Sequence, residues 1–290
     1  MSQADTSYKN ILEHIMCVGE YRETRTGKVV SAFSPPEFRF DMRFGFPLLT
    51  CKQVFLRQVI GEALWFLNGE HTLSDLRFRT WGEDDGERWT IWSDDFERWG
   101  GKGNNEGGRI YGVQWRAYKD SIGHCVDQLK GVLSKLQQNP KDRYMLVNAW
   151  NAAEIATNQM ALPPCHVLFQ VYVTNSGEMD LKWYQRSVDT FLGLPFNIAS
   201  YGFILAVLCK ITGYTPRYLV GSFGDAQIYS NHTKQVMQVM NNEVFNAPSF
   251  DIDFDINSLE DLRKFTADDF LGCLKDYKHA GKVEAPLSVG

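Results

Sequence analysis

The chain has 290 residues, 44% of them hydrophobic and 13% aromatic, with a formal net charge of −5 and an isoelectric point near 5.7. That acidity argues against a general nucleic-acid or anionic-membrane surface, but leaves room for a small anion held by a few arginines. No internal repeat, low-complexity block or linker divides the sequence, so one domain over residues 1–290 is expected.

The first ten residues, MSQADTSYKN, lack the basic and apolar regions of a secretory signal. "TRTG" (24–27) carries one arginine in a turn-like context. Residues 53–68, QVFLRQVIGEALWFLN, are apolar nearly all round, which predicts a buried helix, and Gly69 follows as its cap. Residues 82–109 are charged and glycine-rich near their end, the marks of a long insertion or loop, and long loops in compact domains are often functional.

Over 125–138, Val126, Leu129, Val132, Leu133 and Leu136 form one helical stripe that Asn139-Pro140 ends. "KDRY" (141–144) holds a second turn arginine. HVLFQVYV and MDLKWYQ read as strands joined by the hairpin signal TNSGE, and 197–214 as another buried helix. The apolar stretches fall short of a membrane span. The pattern is α+β, with a mixed sheet covered by helices.

Six cysteines (Cys17, Cys51, Cys125, Cys165, Cys209, Cys273) are scattered, with no CxxC pair and no zinc-like spacing. Reduced thiols in a cytoplasmic protein without a metal are expected. Cys165, beside His166 in MALPPCHVLFQ, reads either as a small core residue or as a nucleophile. Glu62 sits on the most apolar helix. It is either an exposed position there or an acid/base whose pKa burial raises.

In YQRSVDTFLGLPFNIASYG, Arg186 and Ser187 suit a phosphate, with a salt-bridged turn as the alternative. Asp189 lies in the same stretch, and Asn197 could simply cap the following helix. GDAQIYSNH gathers Gln227, Tyr229, Asn231 and His232, either as a polar cluster or as a loop with an aspartate turn.

Taken together, RTG (25–27), GFPLLT (45–50), GEALWFLNGE (61–70), IW (91–92), YGVQWR (111–116), VNAWN (147–151), MALPPCH (160–166), WYQRSVDTFLGLPFNIASYG (183–202), GDAQIYSNH (224–232) and APLSV (285–289) resemble the folate-dependent thymidylate synthase family, which also includes phage pyrimidine hydroxymethylases. The resemblance spans almost the whole chain. It implies a one-carbon transfer from 5,10-methylenetetrahydrofolate, as co-substrate, to C5 of dUMP.

In that reading Cys165 is the nucleophile that adds to C6, its thiol pKa lowered by Arg186. Glu62 manages the O4 proton through water and helps expel the folate, while Tyr111 and His166 support loss of the C5 proton. Asn197 reads uracil, where cytidylate-modifying relatives carry Asp. Arg25, Arg186 and Ser187 hold the phosphate, joined by Arg143 from a second subunit, which implies a homodimer formed through a sheet face.

Tyr229 bonds the sugar hydroxyl and Gln227 lies near it; Asp189 lines both ligands. Lys52, Ile91, Trp92, Gly193 and Phe196 surround the folate, and the tail APLSVG closes over the ligands. No membrane and no obligatory nucleic acid are implied.

Three positions depart from the family pattern: Tyr144 where a second arginine is usual, Gln227 in place of histidine, and the extra Gly290. Trp92 and the tail should shield the intermediate from water, so methylation to dTMP with release of dihydrofolate is expected. A dUMP 5-hydroxymethylase is the alternative, and a catalytically silent folate- or RNA-binding relative a second one.

Overall fold

The computed structural model describes residues 2–287. Helix α1 (Gln3–Val18) leads into strands β1 (Glu20–Thr24), β2 (Gly27–Phe33) and β3 (Phe38–Asp41). Helices α2 (Leu56–Leu67), α3 (Leu73–Trp81), α4 (Ser93–Gly100) and α5 (Tyr111–Ala117) follow, then a two-stranded ribbon, β4 (Tyr118–Lys119) and β5 (Cys125–Val126). Next come α6 (Gln128–Gln138), β6 (Leu146–Asn148), α7 (Ala152–Ala156), β7 (His166–Val173), β8 (Glu178–Asp189), α8 (Gly193–Thr212), β9 (Thr215–Tyr229) and α9 (Thr233–Asn241). The architecture is α+β.

Seven strands form one mixed sheet in the order β1-β2-β9-β8-β7-β6, with β3 pairing to the first half of β9. Neighbours are antiparallel except β8 and β9, which run parallel and are joined through α8. A parallel pair needs such a long crossover. The β7–β8 hairpin turns at 174–178, where Gly177 takes a positive φ of 78°.

Alternation sets the two faces of the sheet. Phe169, Val171 and Val173 on β7, and Leu181, Trp183 and Gln185 on β8, point into the helical layer. Tyr172, Lys182 and Tyr184 point the other way and are exposed. Trp183 stacks on Tyr201 of α8 with ring centroids 5.0 Å apart, the kind of pair worth about 0.5–1.5 kcal/mol beyond its buried area.

Helix α2 is buried on nearly every side. Gly61 is what lets α3 approach it: a Cβ there would fall 2.2 Å from Thr80 Oγ1. The helix is capped at Asn68 rather than Gly69, and Gly69, one residue further on, takes the left-handed φ of 74°.

Four other expectations need correction. Val126 is not part of α6; it lies in the short ribbon and is exposed, because Asp127 caps the helix by accepting the Lys130 N–H. The 82–109 segment contains α4, whose Phe96 is fully buried against Trp65 and Trp92. Helix α8 is long and apolar enough to cross a membrane by length and composition, with a mean hydropathy of 1.6, but it packs on β8 and β9 and most of it is buried in the core. It also begins at Gly193, so Asn197 lies inside the helix rather than at its cap.

Candidate active site

Cys165 ends the Pro163-Pro164 segment just before β7. Its backbone is fixed on both sides: the Cys165 N–H donates to the Tyr111 hydroxyl at 2.6 Å, and its carbonyl accepts the Arg186 N–H at 2.8 Å. The Arg186 side chain donates from Nε to Pro164 O at 2.9 Å and from an Nη to Pro163 O at 3.2 Å, with the guanidinium over the Trp150 ring. Two carbonyls therefore aim this cation beside the thiol.

The expected lowering of the thiol pKa is not what results. Burial raises it, and the opposing pull of Arg186 and Tyr111 does not overcome that. A thiol removed from water resists ionisation even with a cation nearby.

Tyr111, at the start of α5, is buried and stacks on His166 with centroids 4.2 Å apart. His166 Nδ1 lies 3.0 Å from the Tyr201 hydroxyl. Burial pulls the His166 pKa down to about 3, so the ring is neutral at physiological pH.

Glu62 faces the same space from α2. It retains a small opening to solvent but is enclosed by protein, and that desolvation raises its pKa. The Trp92 indole donates to Glu62 Oε1 at 2.7 Å and pulls the other way. Glu62 is thus not an exposed helix position. Trp92 itself is only 6% exposed and meets Tyr111 and Phe66 edge-on, whereas its neighbour Ile91 is exposed.

Asn197 projects from the first turns of α8. Its Oδ1 accepts from Gln185 Nε2 at 3.0 Å, and Gln185 is buried on the inward face of β8. Gly193 lies between Asp189 and Asn197, and Phe196 is partly buried against the core. Asp189 Oδ1 accepts the N–H groups of Phe191 and Leu192, shaping the turn into α8. Burial raises its pKa, opposed by those hydrogen bonds and by His232 and Lys52. Lys52 is buried, donates to Phe191 O at 2.8 Å and lies over the Phe191 ring; desolvation lowers its pKa to about 8.

On the sheet, Gln227 Nε2 donates to Ser187 Oγ at 3.1 Å, which links β9 to β8. The Tyr229 hydroxyl pairs with Thr26 Oγ1 at 2.9 Å, tying β9 to the β1–β2 turn that carries Arg25. Arg25 is exposed there, and its charge opposes the burial that raises the pKa of Asp95 of α4 and of Tyr229.

The fold thus gathers Cys165, Tyr111, His166, Glu62, Trp92, Asn197, Arg186, Ser187, Asp189, Gln227 and Tyr229 around the ends of β8 and β9. Arg143 is not brought in: it is exposed on the loop before β6, beside the exposed Tyr144.

Sequence reading missed Gln185, Tyr201, Thr26 and Asp95. Gln185 had a signal, since strand alternation puts its amide on a buried face with Leu181 and Trp183, where it needs a partner. Among the described residues, no cluster of His, Cys, Asp and Glu could hold a metal ion.

Comparison with known proteins decides the family. The thymidylate synthase sequence profile matches residues 6–289. The chain belongs to the thymidylate synthase family. It is similar to a probable thymidylate synthase of Escherichia phage T5, at 47% identity over 232 residues, which is 79% of this chain and 80% of that protein. Thymidylate synthase family chemistry, one-carbon transfer to dUMP with methylenetetrahydrofolate as co-substrate, therefore frames the site described above.

Proposed function

We propose that the chain methylates dUMP to dTMP. Methylenetetrahydrofolate supplies both the carbon and the hydride, and dihydrofolate is released. One observation carries the choice of methylation: the Trp92 indole, buried and bonded to Glu62, walls the space next to Tyr111 and Cys165. A wall there keeps water from the exocyclic methylene until hydride arrives.

Cys165 Sγ adds to C6 of the uracil, which makes C5 nucleophilic, and the C6–Sγ bond breaks by elimination once hydride has reached the exocyclic methylene, freeing dTMP. Because burial keeps the thiol protonated, its proton has to leave as the nucleotide docks, and Arg186 stabilises the resulting anion. Asn197, held by Gln185, accepts from N3–H and donates to O4. Glu62, which keeps its proton to higher pH than an exposed carboxyl, serves O4 through water. The Tyr111 hydroxyl and neutral His166 assist removal of the C5 proton.

Arg25, Arg186 and Ser187 hold the phosphate, with Arg143 supplied by a second copy; Gln227 and Tyr229 line the sugar. Asp189, Lys52, Ile91, Trp92, Gly193 and Phe196 fit a flat, hydrogen-bonding pterin through one carboxylate and several apolar surfaces. The exposed Tyr172 and Tyr184 on the face of the sheet turned away from the helices favour that face as the homodimer contact. Mixing inactive Cys165→Ser chains with inactive Arg143→Ala chains tests it. Hybrids regain activity if the arginine crosses the interface.

Incubation with dUMP and methylenetetrahydrofolate, with nucleotide and folate products resolved by mass, tests the chemistry. The expected products are dTMP and dihydrofolate in equal amounts. Hydroxymethyl-dUMP with tetrahydrofolate would overturn the methylase assignment. No product, together with no covalent adduct from 5-fluoro-dUMP and the folate, would mark a silent binder.

A further inference from the structure

His232 is fully buried, yet neither the fold nor the proposed chemistry gives it a task. Its ring sits between Phe191 and Tyr229, with both centroids 5.5 Å away. Nε2 lies 2.7 Å from Pro286 O in the carboxyl-terminal tail. A proline carbonyl only accepts, so Nε2 carries a proton and donates it. The other nitrogen, Nδ1, is buried with no hydrogen-bond partner among the described residues and faces Asp189 Oδ1 at 3.9 Å. One imidazole thus touches the tail with one edge and turns the other toward the carboxylate that shapes the start of α8.

The rest of the tail is fastened differently. Ala280 N–H donates to Thr50 O and Gln53 N–H donates to Gly281 O, main-chain bonds joined by one from Gly281 N–H to His279 Nδ1. Beyond it, Val283 is buried in the core with Ala285 packed against that core, and among the described residues two side chains of one short segment bond the tail's carbonyls: Gln235 Nε2 donates to Glu284 O at 3.2 Å, and His232 takes Pro286. Of the two, only His232 is buried and only His232 reaches the site.

We infer that His232 is a positioning residue: its bond to Pro286 seats the carboxyl-terminal tail while its opposite edge registers Asp189, so that the tail and the folate end of the cleft close as one unit. This rests on the reading of the site as a dUMP and folate site. It assigns the seating of the tail at Pro286 to one side chain, 54 residues away from the carbonyl it grips.

The test compares the parent with two variants of the full chain. His232→Phe keeps a ring between Phe191 and Tyr229 but removes the donor; His232→Gln restores an N–H donor of similar reach. Three quantities are read: hydrogen exchange of the backbone amides of Val283, Glu284, Ala285 and Leu287 without ligands, KM for each substrate, and the share of product released as hydroxymethyl-dUMP.

In His232→Phe the tail amides should exchange at least tenfold faster and KM for the folate should rise about tenfold. KM for dUMP should stay within twofold, and the hydroxymethyl share should increase. His232→Gln should recover most of each change. A merely structural histidine would alter both KM values together or neither. Unchanged tail exchange and an unchanged product ratio in His232→Phe would overturn the inference.

If His232→Phe does not fold, His232→Gln is compared with His232→Asn, which is too short to reach Pro286; equal tail exchange in those two refutes the latch. If the parent turns over no dUMP, the exchange data still decide. Tail protection lost in His232→Phe would uphold the latch while the proposed function fails.

Discussion

The Tyr111 hydroxyl accepts the backbone N–H of Cys165 at 2.6 Å, although 54 residues separate the two in the chain. The phenol therefore positions the thiol's own main chain and also acts to lower the thiol pKa. In Tyr111→Phe the buried N–H loses its acceptor and the thiol loses that help. We expect kcat to fall by about two to three orders of magnitude, the range of a lost general acid/base group. The 5-fluoro-dUMP adduct should still form, more slowly. An unchanged kcat would remove Tyr111 from the chemistry.

The depressed pKa of His166 makes a prediction about stability. The folded value is about 3, whereas an ordinary histidine titrates near 6.5. Between those values the unfolded chain binds a proton that the folded chain refuses. The contribution is fully present above pH 6.5 and is lost as pH falls toward 3, with an upper bound of about 5 kcal/mol from the size of the shift. Urea denaturation of the parent and of His166→Asn at pH 7 and at pH 4 checks this. The parent should lose more stability on acidification than the variant does; equal losses would mean His166 is not the source.

Trp92 and Glu62 are coupled with a definite sign. The indole N–H stabilises the ionised carboxylate, so its removal leaves only the burial that raises the Glu62 pKa. In Trp92→Phe, the apparent pKa that Glu62 contributes to the pH–rate profile should move up. The same variant opens the wall beside Tyr111, so more of the intermediate should be captured by water. A downward shift would contradict the hydrogen bond's role.

Gln227 donates to Ser187 Oγ, and in the proposed nucleotide site this bond ties the sugar end to the phosphate end. Gln227→Ala should raise KM for dUMP about fivefold, the size of one neutral hydrogen bond. KM for the folate should stay unchanged. Competition between dUMP and UMP then shows whether the glutamine discriminates against the 2′-hydroxyl. A KM for dUMP within twofold of the parent's would place Gln227 outside the nucleotide site.

Where periodicity was strong, local structure could be read directly. Leu129, Val132, Leu133 and Leu136 are all buried along α6, and β7 spans the run HVLFQVYV from end to end. The start of α8 was harder, because the apolar run that marks the helix begins only at Asn197 and Pro195 precedes it. In fact Pro195 lies in the first turn, where its missing N–H costs nothing, and the helix begins at Gly193. Asn197 is thereby turned from a cap into a side chain that faces the site.

The site was legible only where a residue's type betrayed its chemistry. Glu62 on an apolar helix and Arg186 beside Ser187 are such cases. Tyr201, Thr26 and Asp95 carried no such mark, since each matters through a neighbour that only folding supplies. The direction of the Cys165 pKa was misread for a related reason. Arg186 is visible in the sequence, whereas the enclosure that outweighs it is not.

The parallel pairing of β8 with β9 also bears on how the enzyme comes into being. Ser187 faces Asp225 and Asp189 faces Gln227 across a seam that cannot zip from a tight turn, because the whole of α8 must first cross between the strands. Such non-local pairing carries its loop-closure cost before any reward, and is slow. On refolding, helical signal should return well before the ability to form the fluoronucleotide adduct; simultaneous recovery would argue for a different order. A newborn chain would then pass through a stage in which its thiol already has Arg186 beside it, across the β7–β8 hairpin, but lacks Gln227 and Tyr229 of β9. The thiol is thus aimed before its surroundings are complete, and the β9 wall of the site arrives only with the last seam.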